Sequence, residues 1–210
     1  QVPQRGTADA VAKALPLIKD NQKVIILYGD VPLITANTLN QLIEKTRDGI
    51  GIVTINMGNP FGLGRIVRDA QGNVIKIVEQ KDATEQEQKI AEVNTGIYVV
   101  NSNHLKKWVP QIKNDNQQNE FYLTDIVSMA VKDNIAIATI NPQQIEEILG
   151  VNDKAQLAQV ERCYQYRVAN HLMNQGVTLA DPGRLDVRGT LNAQSDVFID
   201  VNVVFEGEVN

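Results

Sequence analysis

The stretch Val24-Ile25-Ile26-Leu27-Tyr28-Gly29-Asp30-Val31-Pro32-Leu33 decides how the first half of the chain is read. Consecutive aliphatic residues before a polar break describe a strand buried on both faces, the pattern of a parallel sheet. Gly29 and Asp30 then fall at the carboxyl end of that strand, and Pro32 prevents a regular continuation. Open α/β sheets bind their ligands just outside such carboxyl ends. A carboxylate there suits a divalent cation, which prefers hard oxygen ligands, and a glycine beside it lets a ligand approach the backbone. The same string also fits a strand that simply closes in a Gly-Asp turn.

Working outward, Thr7 is placed to cap a helix over residues 8–19, with Ala10, Val11, Ala14, Leu15 and Ile18 on its apolar stripe and Pro16 kinking it or ending it early. A helix over 38–47 and an apolar strand over 50–55 follow. Such alternation predicts a parallel sheet with crossover helices. The pattern then changes. Asn59-Pro60-Phe61-Gly62-Leu63-Gly64-Arg65 is a glycine-punctuated loop, and residues 65–68 and 74–79 form a sided hairpin around Asp69-Ala70-Gln71-Gly72-Asn73. Residues 81–90 read as a charged surface helix, 92–100 as a sheet strand, and 120–131 as a lead into a helix. Two short strands, 135–140 and 145–149, end the alternation.

Asp153 is a plausible N-cap for a long helix ending at Gly176, with Leu157, Val160, Tyr164, Val168 and Leu172 as its core stripe. Beyond it the period changes to six: Leu179, Leu185, Leu191, Val197, Val203 and Val209. A six-residue aliphatic repeat marks a parallel β-helix; a meander of short strands with coincidental spacing is the alternative.

Composition narrows the function classes. The net charge of −5, without a dense basic cluster, argues against nucleic acid. No apolar run approaches the roughly 20 residues that span a bilayer, and the first residues lack the features of a signal peptide. The single cysteine, Cys163, excludes an internal disulfide and fits a reducing compartment. His104 and His171 have no zinc-ligand spacing and are read as surface or helix residues.

Further strings bear on family: Gln4-Arg5-Gly6-Thr7-Ala8, Leu27-Tyr28-Gly29-Asp30-Val31-Pro32-Leu33, Gly62-Leu63-Gly64-Arg65-Ile66, Val78-Glu79-Gln80-Lys81-Asp82-Ala83, Glu92-Val93-Asn94-Thr95-Gly96, Glu120-Phe121-Tyr122-Leu123-Thr124-Asp125 and Gly150-Val151-Asn152. In this order, and with a long helix and a hexapeptide repeat behind them, the chain resembles the bacterial bifunctional N-acetylglucosamine-1-phosphate uridylyltransferase/glucosamine-1-phosphate acetyltransferases. The resemblance implies an α/β, Rossmann-like nucleotidyltransferase domain over residues 1–152, a linking helix over 153–176 and the start of a left-handed parallel β-helix over 177–210. It implies that Gln1, Gly6 and Thr7 meet uracil, that Tyr28 and Gly29 line the nucleotide–sugar site, and that Gly64, Glu79 and Asn94 contact the N-acetylglucosamine and ribose. Thr124 would contact the sugar. Asp30, the catalytic candidate, would bind Mg2+, with Asn152 completing the metal site.

The implied substrates are UTP and N-acetylglucosamine-1-phosphate, giving UDP-N-acetylglucosamine and pyrophosphate for peptidoglycan and lipopolysaccharide precursors. Acetyl-CoA and a homotrimer built on the β-helix belong to the intact parent, expected in the cytoplasm. The family's glycine-rich, basic triphosphate loop and its later acetyltransferase coils have no counterpart in these residues, so the chain alone is expected to be inactive or to bind only. Phe61 and Leu63 also flank Gly62 where the family more often carries Thr and Tyr. Another sugar-1-phosphate nucleotidyltransferase, specific for thymidylyl or adenylyl transfer, is the remaining alternative.

Overall fold

The computed structural model describes residues 2–210, so the expectation for Gln1 lies outside the described residues. They divide into two units, one of residues 2–29 and Ile34–Ile148, the other of Asp30–Leu33 and Leu149–Asn210.

The first unit is built on one mixed sheet of β1 (Lys23–Ile26), β2 (Ile50–Asn56), β3 (Arg65–Arg68), β4 (Val74–Val78), β5 (Glu92–Asn101) and β6 (Ile137–Ile140). The strand order is β4-β3-β5-β2-β6, with β1 also paired on β5. The expectation of a parallel sheet is corrected here. Among the described residues of this sheet only β2 and β6 pair in parallel; β5 is antiparallel to β1, β2 and β3, and β3 to β4. The β1 and β2 strands do run in the same direction, as a helical crossover requires, but β5 lies between them. The doubly buried strand is therefore β5, whose Val93, Tyr98, Val99 and Val100 are wholly buried. Strand β1 stops at Ile26, short of Gly29, and has one partner strand among the described residues, so Ile25 remains 39% exposed.

Helices α1 (Thr7–Ala14), α2 (Ala36–Lys45), α3 (Ser102–Trp108) and α4 (Asp125–Lys132) flank the sheet. Thr7 is the first helical residue of α1 and not its cap; Gly6 holds the cap position at φ 113. The helix gives way at Leu15 to a 3-10 turn, Leu15–Leu17, because Pro16 cannot donate the next backbone bond. Thr35 caps α2 by accepting from Thr38 N at 3.2 Å. In the hairpin Val67 pairs with Lys76 but Arg68 with Val74, so Ile75 is the extra residue of a bulge. The bulge reverses the alternation and lets Val74 and Ile77 enter the same core as Trp108 and Ile126.

Two further segments depart from expectation. The 81–90 stretch forms turns and one 3-10 turn, Glu87–Lys89, instead of a helix. Residues 145–149 do not form a strand: Ile145–Ile148 is a 3-10 turn wrapped around the buried Glu147. Glu147 Oε2 accepts from Thr35 N at 3.1 Å, Thr35 Oγ1 at 2.8 Å and Thr38 Oγ1 at 2.6 Å. Its Oε1 accepts from Gln143 N at 3.2 Å and Gln144 N at 3.3 Å. A carboxylate with this many donors outweighs the pull of an aliphatic run toward a strand.

In the second unit α5 (Lys154–Asn174) is capped by Asp153, whose Oδ1 accepts from Gln156 N at 2.7 Å, and the chain turns out of it at Gly176, φ 94. Its buried face keeps Val160 and Leu172 of the expected stripe and departs from it elsewhere. Leu157 and Tyr164 are 52% and 45% exposed, and the face that packs is Val160, Gln165, Ala169 and Leu172. Gln165 is buried because its amide pairs with a peptide: Val187 N donates to Oε1 at 2.8 Å and Nε2 donates to Val187 O at 3.1 Å. Beyond α5 lie β7 (Thr178–Leu179), β8 (Leu185–Leu191), β9 (Phe198–Ile199) and β10 (Val203–Val209). Strands β8 and β10 pair in parallel, Leu185 against Val203, an offset of 18 residues (203 − 185). Leu179, Leu185, Leu191 and Val203 share one apolar cluster, whereas Val197 is 39% exposed.

Burial raises the Glu147 carboxyl, but hydrogen bonds from Thr38, Thr35 and Gln144 outweigh it and hold the pKa below the ordinary value. A depressed folded-state pKa adds stability at neutral pH that is lost as pH falls through it. Glu147→Gln is expected to cost about 2 kcal/mol near neutral pH, with the penalty shrinking below about pH 4. Urea denaturation at several pH values checks this; a pH-independent penalty would contradict it.

Candidate functional site

The first-unit site forms where β5 breaks step with β2. Ile52 pairs with Tyr98 and Thr54 with Asn94, so β5 spends four residues (98 − 94) where β2 spends two (54 − 52). The excess is taken up at Gly96, φ 80, where a Cβ would fall 2.1 Å from a ring carbon of Tyr28. Only glycine combines this backbone conformation with a ring laid on it.

The slackened strand turns Asn94 toward β3. Its N donates to Gly64 O at 2.8 Å and its Oδ1 accepts from Gly96 N at 3.1 Å. Gly64 is equally constrained: a Cβ there would lie 3.1 Å from Ile77 Cγ2 and 3.4 Å from both Glu79 carboxylate oxygens. Thr124 Oγ1 in turn donates to Glu79 Oε1 at 3.2 Å. Tyr28, Gly64, Glu79, Asn94 and Thr124, expected from separate strings, thus form a chain of neighbours. Gly6 and Thr7 lie against the segment that leads into Thr124: a Cβ on Gly6 would fall 2.5 Å from Phe121 O. Ala8 N donates to Phe121 O at 2.9 Å, Phe121 N to Arg5 O at 2.8 Å, and Leu123 N to Thr7 Oγ1 at 3.0 Å, directly before Thr124.

A cavity of about 370 Å³ opens beside this chain, with Glu79, Asp82, Tyr122, Thr124, Asp125 and Lys113 in its wall. Burial pushes the Glu79 carboxyl up; the Thr124 hydroxyl opposes it, and the charges of Asp82, Asp125 and Glu120 reinforce it. Asp125 is raised by burial and by Asp82. The wall is rich in acceptors, which suits the hydroxyls of a polar, uncharged ligand moiety and disfavours a phosphate. Tyr98 is fully buried with its hydroxyl facing the Asn94 side chain, yet among the described residues it has no hydrogen bond of normal geometry. Tyr98, Asp82, Tyr122 and Asp125 were given no role by the sequence. Tyr98 sits inside an aliphatic run, and the others lie within matched strings whose single letters do not reveal which side chains face a cavity.

Asp30 and Asn152 fall together in the second unit. Val151 N donates to Asp30 O at 2.8 Å, and Gly150 packs beside that carbonyl. Asn152 N donates to Gln156 Oε1 at 2.7 Å, and both Asp30 and Asn152 are exposed. A 3-10 turn, Ile145–Ile148, and not a strand precedes Asn152. Among the described residues no group of three or more His, Cys, Asp or Glu could hold a metal. A carboxylate and an amide carbonyl are both oxygen donors of the kind Mg2+ takes, its shell being completed by waters and substrate phosphates. Gly29, in the first unit, has open space where a side chain would stand.

The nucleotidyl transferase family model matches residues 1–177. The chain belongs to the nucleotidyl transferase family. Across all 210 residues it is 54% identical to the bifunctional protein GlmU of Burkholderia multivorans and 52% identical to that of a Psychrobacter species. It spans about half the length of these curated relatives, 46% of each. A solved structure of a protein assigned as a glucose-1-phosphate thymidylyltransferase from Bacillus anthracis, in complex with sucrose, superposes with a TM-score of 0.52 at 14% identity, covering 76% of this chain and 61% of that one. That likeness shows the nucleotidyltransferase α/β fold.

Two outcomes follow from the site geometry. A raised carboxyl pKa means that ionised Glu79 weakens the fold, so stability declines as pH rises from the unfolded-state pKa through the folded one. Glu79→Gln is therefore expected to raise Tm near pH 7.5 and to lose that advantage toward pH 4, the ordinary glutamate range of about 4.3; calorimetry across this span checks it. Gly96→Ala is expected to lose about 3 kcal/mol or more from strain and the clash with Tyr28, read by chemical denaturation.

Proposed function

We propose that the protein joins UTP to N-acetylglucosamine-1-phosphate, forming UDP-N-acetylglucosamine and releasing pyrophosphate. The observation that carries this reading is the contact chain Gly64–Glu79–Asn94–Thr124, held by the glycine-dependent break in β5 and bordered by an acceptor-rich cavity. It is supported by the 54% identity to a GlmU protein along the whole chain. A phosphate oxygen of the sugar-1-phosphate attacks the α-phosphorus of UTP; the new P–O bond forms as the bond to the bridging oxygen breaks, and pyrophosphate leaves with that oxygen.

In this scheme Glu79 and Thr124 receive the sugar, Asn94 and the Gly64 backbone fix the sugar and ribose, and Tyr28 and Gly29 line the nucleotide side. Gly6, Thr7 and Gln1 face uracil. Asp30, the catalytic candidate, and Asn152 hold Mg2+. Bound there, Mg2+ would offset phosphate charge in the displacement. The residues themselves orient two anionic partners for in-line attack, and orientation is a large part of the barrier in phosphoryl chemistry.

The remaining readings belong to the whole protein. Residues 1–152 act as the uridylyltransferase domain and 153–176 as the linking helix, and 177–210 begin a left-handed hexapeptide β-helix. Support for the last comes from the 18-residue parallel offset of β8 and β10, three times six. A cytoplasmic homotrimer that also acetylates glucosamine-1-phosphate from acetyl-CoA, and that feeds peptidoglycan and lipopolysaccharide synthesis, completes the proposal.

The test is pyrophosphate release by the intact protein with Mg2+, comparing UTP plus N-acetylglucosamine-1-phosphate with dTTP or ATP plus glucose-1-phosphate. Preference for either glucose-1-phosphate pair would replace this reading with thymidylyl or adenylyl transfer. Asp30→Asn is expected to lower kcat/KM by about 100-fold or more, and Asn152→Ala to raise the Mg2+ concentration needed for half-maximal rate.

A further inference from the structure

Arg65 is only 2% exposed and among the largest fully buried side chains. Its guanidinium donates to the Leu63 carbonyl and, at 2.6 Å, to Gln80 Oε1, both uncharged, and its Nε has no hydrogen-bond partner among the described residues. Among the described residues it forms no ion pair with a carboxylate. Burying a cation without a counter-charge is unfavourable, and two neutral acceptors offset the lost hydration only in part. Such an arrangement calls for a reason other than stability.

The geometry supplies one. Gln80 Oε1 also accepts from Gly62 N at 3.1 Å. Leu63 N donates to Pro60 O at 3.2 Å, and Gly62 stands at φ 84. The fork of Arg65 therefore closes a ring: the glycine loop to Arg65, Arg65 to Gln80, and Gln80 back to the loop. The residues flanking this ring in sequence are Gly64, whose carbonyl receives Asn94 N, and Glu79, whose carboxylate lies against Gly64. Without the ring, a loop carrying two glycines would let the Gly64 carbonyl wander relative to Glu79.

We propose that Arg65 is a positioning residue of the sugar-nucleotide site, locking the 60–64 loop to Gln80 so that the Gly64 backbone and the Glu79 carboxylate keep a fixed spacing around the ligand. This rests on the functional reading above. A planar two-pronged donor is required, because an ammonium is a point charge that cannot reproduce the fixed fork.

The experiment compares Arg65→Lys, Gln80→Met and the double variant with wild type in the intact protein. It measures Tm, direct binding of UDP-N-acetylglucosamine, and KM and kcat for N-acetylglucosamine-1-phosphate. Arg65→Lys is expected to raise KM and weaken binding about tenfold, the loss of one hydrogen bond to a charged group. Its kcat should stay within about threefold, since the loss is in binding held in common by ground and transition states. Gln80→Met should show the same signature, and the double variant should be no worse than either single one, because all three break one ring. Lowered Tm with unchanged KM would make Arg65 a purely structural residue and overturn the proposal, as would losses that add in the double variant. If Arg65→Lys fails to fold, Gln80→Met decides by the same criteria. If wild type binds UDP-N-acetylglucosamine and the variants bind equally well, only the Arg65 role falls. If wild type does not bind it, the functional reading fails and this proposal with it.

Discussion

The first unit depends on one contradiction within β5: the strand must be buried on both faces and must also break its ladder. Burial is what makes it central, since Val93, Tyr98, Val99 and Val100 are removed from water completely, at roughly 1.5–3 kcal/mol for each large apolar side chain. The break at Gly96 admits the Tyr28 ring and swings Asn94 to the Gly64 carbonyl. A strand with no break would pair more completely with β2 and leave no reason for Asn94, Gly64 and Glu79 to meet. The site is thus a defect in the sheet, held open by glycine and by the apolar layers on either side.

Buried carboxylates in the same unit divide by what they touch. Glu147 gathers donors from Thr35, Thr38, Gln143 and Gln144, is held below its ordinary pKa, and ties the end of the unit to the start of α2. Glu79 is also withdrawn from water, but it has the Thr124 hydroxyl and acidic neighbours, and its pKa rises. A carboxylate with filled lone pairs belongs to the scaffold. One whose acceptor capacity is left open in a cavity is available to a ligand. This separation leaves the Glu79 carboxylate as an open acceptor in the cavity wall, while Glu147 is spent on the scaffold.

The residues of the candidate site are legible as candidates because they lie in short strings with distinctive chemistry. The residues Gly64, Glu79, Asn94 and Thr124 could be named from such strings, and their contacts join them into one chain. Expectation and structure part where pattern and packing disagree. The aliphatics of β1 fit a strand buried in a parallel sheet because they look alike whether or not a partner covers each edge; its neighbour is β5, antiparallel and distant in sequence. Residues 145–149 looked like a strand, but the Glu147 carboxylate drew the backbone into a 3-10 turn. The packed face of α5 keeps Val160, Val168 and Leu172 of the expected stripe but takes Gln165 instead of Tyr164, because the Gln165 amide pairs with the Val187 peptide.

The sequence by itself determined the elements whose causes are local: the Asp153 cap and Gly176 exit of α5, the turn of the β3–β4 hairpin, the change of period after residue 176, and the family-specific strings. These follow from side chains acting on backbone within a few residues. Tertiary structure alone decided strand direction, the insertion of β5 between β1 and β2, the bulge that sends Val74 and Ile77 into one core, and the uncompensated burial of Arg65. Each depends on which surfaces are excluded from water by segments remote in the chain. No local pattern encodes that partner, because hydrophobic burial is non-directional and only the assembled sheet fixes which faces meet.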